Sequence, residues 1–117
     1  MTKSSVTTEQ MQKRVDDFIS QFEEGYFSPL AMIARLTEEV GELAREVNHH
    51  YGEKTKKSTE EEKAIEEELG DLLFVLITFS NSLNIDLGKA FETSMSKIES
   101  RDQDRFTKKE HSYDRSN

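Results

Sequence analysis

Two short acidic clusters carry the chemistry legible in this chain. Glu38-Glu39-Val40-Gly41-Glu42 and Glu68-Leu69-Gly70-Asp71 each hold a pair of acids three residues apart. That spacing puts both carboxylates of a pair on one helix face, about one turn from each other. Four hard oxygen donors brought to one place repel each other unless a cation lies between them, and an all-oxygen set suits a divalent ion of the magnesium type. Such an ion neutralises charge on a polyphosphate and activates water, so the pattern points to metal-assisted phosphate chemistry.

The helices that must position these acids can be read from caps and periodicity. Thr7 and Gln10 form a capping box, and the first helix is expected to run to about Glu24, closed by Gly25, with Val15, Phe18, Ile19 and Phe22 as its apolar stripe. Ser28 before Pro29 is an N-cap followed by the preferred first helical residue. The second helix is expected from Pro29 to about His50, with Leu30, Ile33, Leu36, Val40, Leu43 and Val47 as its buried seam. A lysine-rich loop from Tyr51 to Ser58 follows. Ser58 and Glu61 make another capping box, and a third helix continues to about Asn81 or Leu83.

The later half of that third helix, Leu72 to Phe79, is apolar all round, which predicts enclosure on every side. A strand is the rival reading for eight such residues, but the unbroken helical pattern before them argues against it. Asn84-Ile85-Asp86 is a turn with Asp86 as N-cap. A fourth helix then spans Leu87 to about Arg101, burying Ala90, Phe91, Met95 and Ile98. Residues 1–6 and 107–117 are polar and expected to be flexible. The expected fold is all-α: one domain over residues 1–117, a four-to-five-helix bundle.

On a helical wheel with Glu39 as origin, Glu42 falls at about 300° and Glu46 at about 340°, while Leu36, Val40, Leu43 and Val47 occupy about 40° to 100°. With Glu68 as origin, Asp71 lies at about 300°, and Ile65, Leu69, Leu72 and Leu76 at about 40° to 100°. Both helices thus show the same offset between acids and apolar stripe. Packed antiparallel, they bring all four carboxylates to one rim. Gly41 and Gly70 stand inside the clusters, where glycine weakens a helix by about 1 kcal/mol relative to alanine. Their missing side chains leave room for close helix approach or for a ligand.

Composition narrows the partners. With 24 acids against 16 bases the net charge is −8, unlike the basic stripes that bind nucleic acid. The absence of cysteine excludes disulfides, a zinc-thiolate site and a thiol nucleophile. Met1 to Thr8 lacks the apolar stretch of a signal peptide, and Leu72 to Ile77 is too short to span a bilayer. A cytoplasmic protein without membrane partners is expected. A hydrophobic content of 33% is low for a self-sufficient globule, so subunits are expected to complete each other's cores.

The two acidic clusters together, continuing into Leu43 and into Leu72-Leu73-Phe74, resemble the EExxE…ExxD signature of MazG-like nucleotide pyrophosphohydrolases, a family of all-α NTP pyrophosphatases. The likeness covers about Phe27 to Phe106. It implies hydrolysis of a nucleoside triphosphate to monophosphate and pyrophosphate, in keeping with housecleaning of the nucleotide pool. It also implies Mg²⁺ (with Mn²⁺ as a substitute) on Glu39, Glu42, Glu68 and Asp71, phosphate binding by Lys97 and Arg101, and a dimer or a dimer of dimers. Two residues before that lysine, where many members carry asparagine, this chain has Met95.

A carboxylate not fully engaged by metal can accept the proton of the attacking water. Glu38 is the candidate, against the reading of a solvated glutamate that its direction on the wheel favours. Glu46-Val47-Asn48-His49 is half of a di-iron motif, but no second copy exists. Lys13, Arg14, Lys54, Lys56 and Lys57 could meet phosphates and are more simply surface charge. Tyr26, Phe27 and Tyr51 could stack on a base and are more simply core or interface residues. The rival to an enzyme is a catalytically silent helical interaction module of the same fold.

Overall fold

The caps read from sequence at Thr7 and Ser28 are built as expected in the computed structural model, which describes residues 5–52 and 58–109, with residues 58–63 by backbone alone. Four helices and no strand occur among the described residues: α1 (Thr8–Ile19), α2 (Pro29–Tyr51), α3 (Ser58–Ser82) and α4 (Leu87–Arg101). Thr7 Oγ1 accepts from the Gln10 backbone at 3.1 Å, and the Gln10 side chain accepts from the Thr7 backbone at 2.8 Å. Ser28 Oγ accepts from the Ala31 N–H at 3.2 Å, satisfying a donor that the first turn of α2 leaves without an intrahelical partner. The loop lysines Lys54, Lys56 and Lys57 and the Ser58–Glu61 box lie outside the described residues and side chains. So does most of the C-terminal tail.

The chain divides into two compact units, Met1–Leu87 and Gly88–Asn117. In the first, α2 and α3 pack side by side, and α1 lies against α3. Helix α1 ends at Ile19, five residues short of the expected Glu24. Beyond the Ser20 N–H to Asp16 carbonyl bond, Phe22 donates to Ile19 and Gly25 to Phe22, each at 3.2 Å. These are tight turns, and Gly25, at φ 62°, closes them instead of the helix. Phe22 still meets Phe18 edge-to-face at 5.3 Å, so the apolar period runs on through a break it does not reveal. Tyr26 ties this connection back to α1 by donating to Asp16 Oδ1 at 2.6 Å. Burial and that carboxylate push the phenol up to about 12.

The C-terminus of α3 is closed by a Schellman arrangement. Ile85 donates to the Ser80 carbonyl at 2.9 Å and Asn84 to the Asn81 carbonyl at 3.0 Å, with Asn84 at φ 58°. Gln12 of α1 clamps the same corner. Its amide donates to Asn81 Oδ1 at 2.9 Å and to the Ile85 carbonyl at 2.8 Å, and it accepts from the Leu87 N–H at 3.0 Å. Nothing in the hydrophobic pattern marked Gln12.

The core of this unit is thin. Among the described residues, Met32, Val75 and Ile77 are the buried apolar side chains. The polar Thr78 and Ser80 are buried beside them, each hydroxyl donating to the carbonyl four residues earlier. Two expectations are corrected here. The inward face of α2 carries Met32, Leu36, Glu39, Leu43 and Glu46, whereas Leu30, Ile33, Val40 and Val47 are exposed, Leu30 to 82%. Helix α3 is not enclosed on every side either, because α1 and α2 leave Leu69, Leu73, Phe74 and Leu76 facing out.

In the second unit α4 runs as expected, but its apolar row is not buried. Ala90, Phe91 and Ile98 are exposed and Met95 is half-buried. After α4 the chain turns at Asp102, which takes Arg101 at 3.1 Å and Arg105 at 3.6 Å. The Arg105 guanidinium lies 5.3 Å from the Phe106 ring centroid.

Candidate metal centre

The acids on α2 and α3 meet because the inward stripe of α2 follows a four-three spacing that passes through Glu39 and Glu46. Glu39 is 9% exposed, on the same helix as buried Met32 two turns earlier. One carboxylate oxygen each from Glu39, Glu42 and Glu68 lies within 4.8 Å of the other two. Oε1 of Glu39 and Oε1 of Glu68 are buried and accept no hydrogen bond from the protein. Glu39 Oε2 faces Arg35, one turn earlier on α2, at 3.7 Å.

Like charges crowded into a low-dielectric groove disfavour ionisation. The Glu68 carboxyl is accordingly raised above its ordinary value, first by desolvation, then by the charges of Glu42, Asp71, Glu39 and Glu46. Three acids with oxygens within 4.8 Å of one another, two of them with buried oxygens left unsatisfied, are an expensive arrangement for a folded chain. A divalent cation among them removes both costs, and all-oxygen donors suit a hard ion. The donor set fits the metal that the sequence pattern implied.

Of the four acids proposed from sequence, Glu39, Glu42 and Glu68 form the tight group. Asp71 is exposed and outside that group, yet near enough for its charge to act on Glu68. Glu38 is exposed and belongs to neither. Lys97 and Arg101 lie on α4 of the second unit, both exposed, and Arg101 is held by Asp102. Two neighbours of the group were not proposed as site residues. Glu46 was legible from its angle beside Glu39, and Arg35 from its place four residues before Glu39. Gly41 and Gly70 make no close helix contact. A Cβ at either would meet nothing within 4 Å.

Comparison with known proteins points the same way. A family model described as the MazG nucleotide pyrophosphohydrolase domain matches residues 27–106. YpjD of Bacillus subtilis (strain 168) is 61% identical over 107 residues, spanning 92% of this chain and 96% of YpjD. The crystal structure of YPJD from Bacillus subtilis, at 60% identity and a TM-score of 0.74, covers 82% of this chain and 98% of that one. A crystal structure of the Bacillus-conserved MazG protein, described as a nucleotide pyrophosphohydrolase, has 54% identity and a TM-score of 0.72, covering 92% of this chain and 98% of that one. With its carboxylate pairs inside the matched region and its four-helix fold shared, the chain belongs to the MazG nucleotide pyrophosphohydrolase family.

Proposed function

We propose that this protein hydrolyses nucleoside triphosphates to monophosphate and pyrophosphate in a Mg²⁺-dependent reaction, with Mn²⁺ able to substitute. The observation that carries the reading is the Glu39–Glu42–Glu68 group, with its two buried and unsatisfied oxygens. Glu39, Glu42, Glu68 and Asp71 would hold the metal. When bound, the ion would neutralise phosphoryl charge and lower the pKa of a coordinated water.

The remaining steps fall to the chain itself. Arg35 restrains the Glu39 carboxylate from one side. Glu38, on the exposed flank next to Glu39, is proposed to accept the proton of the attacking water. Lys97 and Arg101, four residues apart on one face of α4, are proposed to meet the phosphates, with Arg101 exchanging Asp102 for a phosphoryl oxygen. The acidic balance of the chain argues for a small-molecule nucleotide over a nucleic acid.

We also propose that the working protein is a dimer or a dimer of dimers. The support is the thin buried core beside a run of outward leucines, an arrangement that a second copy would cover. The test of function is incubation with each common ribo- and deoxyribonucleoside triphosphate, with Mg²⁺ or excess EDTA, followed by separation of products. Monophosphate and pyrophosphate formed only with metal are expected. Diphosphate and orthophosphate would overturn the bond assignment, and no turnover would favour the silent helical module.

A further inference from the structure

The two oxygens of the Glu39 carboxylate stand in unlike surroundings. Oε1 is buried and accepts no hydrogen bond from the protein. Oε2 faces a guanidinium nitrogen of Arg35 at 3.7 Å, an ion-pair contact from one turn earlier on α2. The Glu39 side chain is 11% exposed, so salt and solvent screen the pair only in part. Among the described residues, Arg35 is the cation that pairs with one of the three grouped acids. We propose that Arg35 sets the metal selectivity of the site: it holds Oε2 of Glu39, leaves that carboxylate one oxygen for the ion, and so favours Mg²⁺ over Ca²⁺.

The proposal rests on the pyrophosphohydrolase reading and deepens it from the presence of a metal to the choice between two. Ca²⁺ gathers about six to eight oxygens, in part by taking both oxygens of one carboxylate, whereas the smaller Mg²⁺ keeps an octahedral set completed by water. A carboxylate restricted to Oε1 serves the octahedral ion fully. It denies the larger ion one of the contacts by which it reaches a higher coordination number. Affinity alone would not place Arg35 here, since a positive charge beside a ligand weakens the binding of every divalent ion. The plain alternative is that Arg35 only offsets the buried charge of Glu39 in the metal-free chain. That role acts equally on ions of equal charge, so it predicts no discrimination between Mg²⁺ and Ca²⁺.

The test titrates Mg²⁺, Ca²⁺ and Mn²⁺ into the substrate-free full chain, as wild type and as Arg35→Met, and reads the apparent Kd of each ion by calorimetry. Arg35 is half-exposed and borders a cavity of about 160 Å³, so the unbranched methionine is accommodated without displacing core. Every ion should bind the variant more tightly, because a repelling charge is gone. That common effect cancels in the ratio of Kd for Ca²⁺ to Kd for Mg²⁺. The ratio should fall by about tenfold or more, the scale on which groups behind the ligands act on a metal site. The ratio of Mn²⁺ to Mg²⁺ should stay at its wild-type value, since Mn²⁺ also accepts an octahedral oxygen set.

A second variant separates the contact on Oε2 from the rest of the arginine. The pair is made through one nitrogen, so Arg35→Lys, which keeps a cation four residues before Glu39, should keep the wild-type ratio of Ca²⁺ to Mg²⁺. An unchanged ratio in Arg35→Met would overturn the proposal and leave the pyrophosphohydrolase reading intact. A lysine variant that matches the methionine one, or a Mn²⁺ ratio that moves as far as the Ca²⁺ ratio, would overturn it as well. A wild type that binds none of the three ions would strike the metal site itself, and the proposal with it.

Discussion

The two faces of α2 reverse the ordinary relation between polarity and burial. Inward, toward α3, the helix buries Met32 together with the carboxylate of Glu39. Outward, it leaves Leu30, Ile33, Val40 and Val47 in solvent. Helix α3 repeats the contrast, with oxygen Oε1 of Glu68 shut away while Leu69 is 51% exposed. A helix pair shaped only for its own stability would do the opposite. On the proposed function, a cation held among the inward acids and a second copy of the chain over the outward leucines would account for both faces.

The largest expected effect comes from breaking the inward face. Glu39→Gln or Asp71→Asn should lower turnover by about a hundredfold or more, the scale of losing a charge-stabilising group, with helix content by circular dichroism unchanged. Unaltered activity in both variants would remove them from the ligand set. Breaking the outward face should act on assembly. Leu69→Asp combined with Leu76→Asp should yield a monomer by light scattering, with about 1.5–3 kcal/mol lost for each leucine that the interface would have buried. A wild type that is itself monomeric would refute the outward half of the comparison.

Much of this layout was legible in the sequence. Caps at Thr7 and Ser28, the span of α4 and the pairing of the two acidic clusters all follow from local rules, since a side-chain oxygen or a proline acts within a turn of itself. The buried seam did not follow. Leu30, Ile33, Val40 and Val47 make the more hydrophobic stripe, yet Met32, Leu36, Glu39, Leu43 and Glu46 make the inward one. Helical period identifies an apolar face, but it cannot say whether the same chain or another copy covers it. The error touches the site directly, because Glu39, which the wheel sets beside the apolar seam, turns out to lie in the inward stripe. Gln12 was missed because a lone polar residue in a helix has no periodic signature, whereas Arg35 carried a signal in its spacing four residues before Glu39.

Smaller effects sharpen the picture. Gly70→Ala should gain about 1 kcal/mol in stability from helix propensity, given the open space around its position. A loss by thermal melting would instead place another copy of the chain against α3 there. Tyr26 should ionise near pH 12 in an ultraviolet titration. Its folded pKa lies above the ordinary 10.0, so the native state holds the proton more tightly than the unfolded chain. The stability it contributes is complete below pH 10 and is lost as pH rises toward 12. Asp16→Asn should bring that titration down.

The most direct measurement is the melting temperature of wild type and of Glu68→Gln, each with EDTA and with millimolar Mg²⁺. Removing one charge from the crowded acids should make the metal-free variant melt higher than metal-free wild type, because the neutral amide is spared the burial and repulsion that raise the Glu68 pKa. Mg²⁺ should raise the wild-type melting temperature by binding the native state, and should raise the variant's far less. A wild type indifferent to Mg²⁺, or a variant stabilised by it as much as wild type, would contradict the account of the inward acids as a metal site.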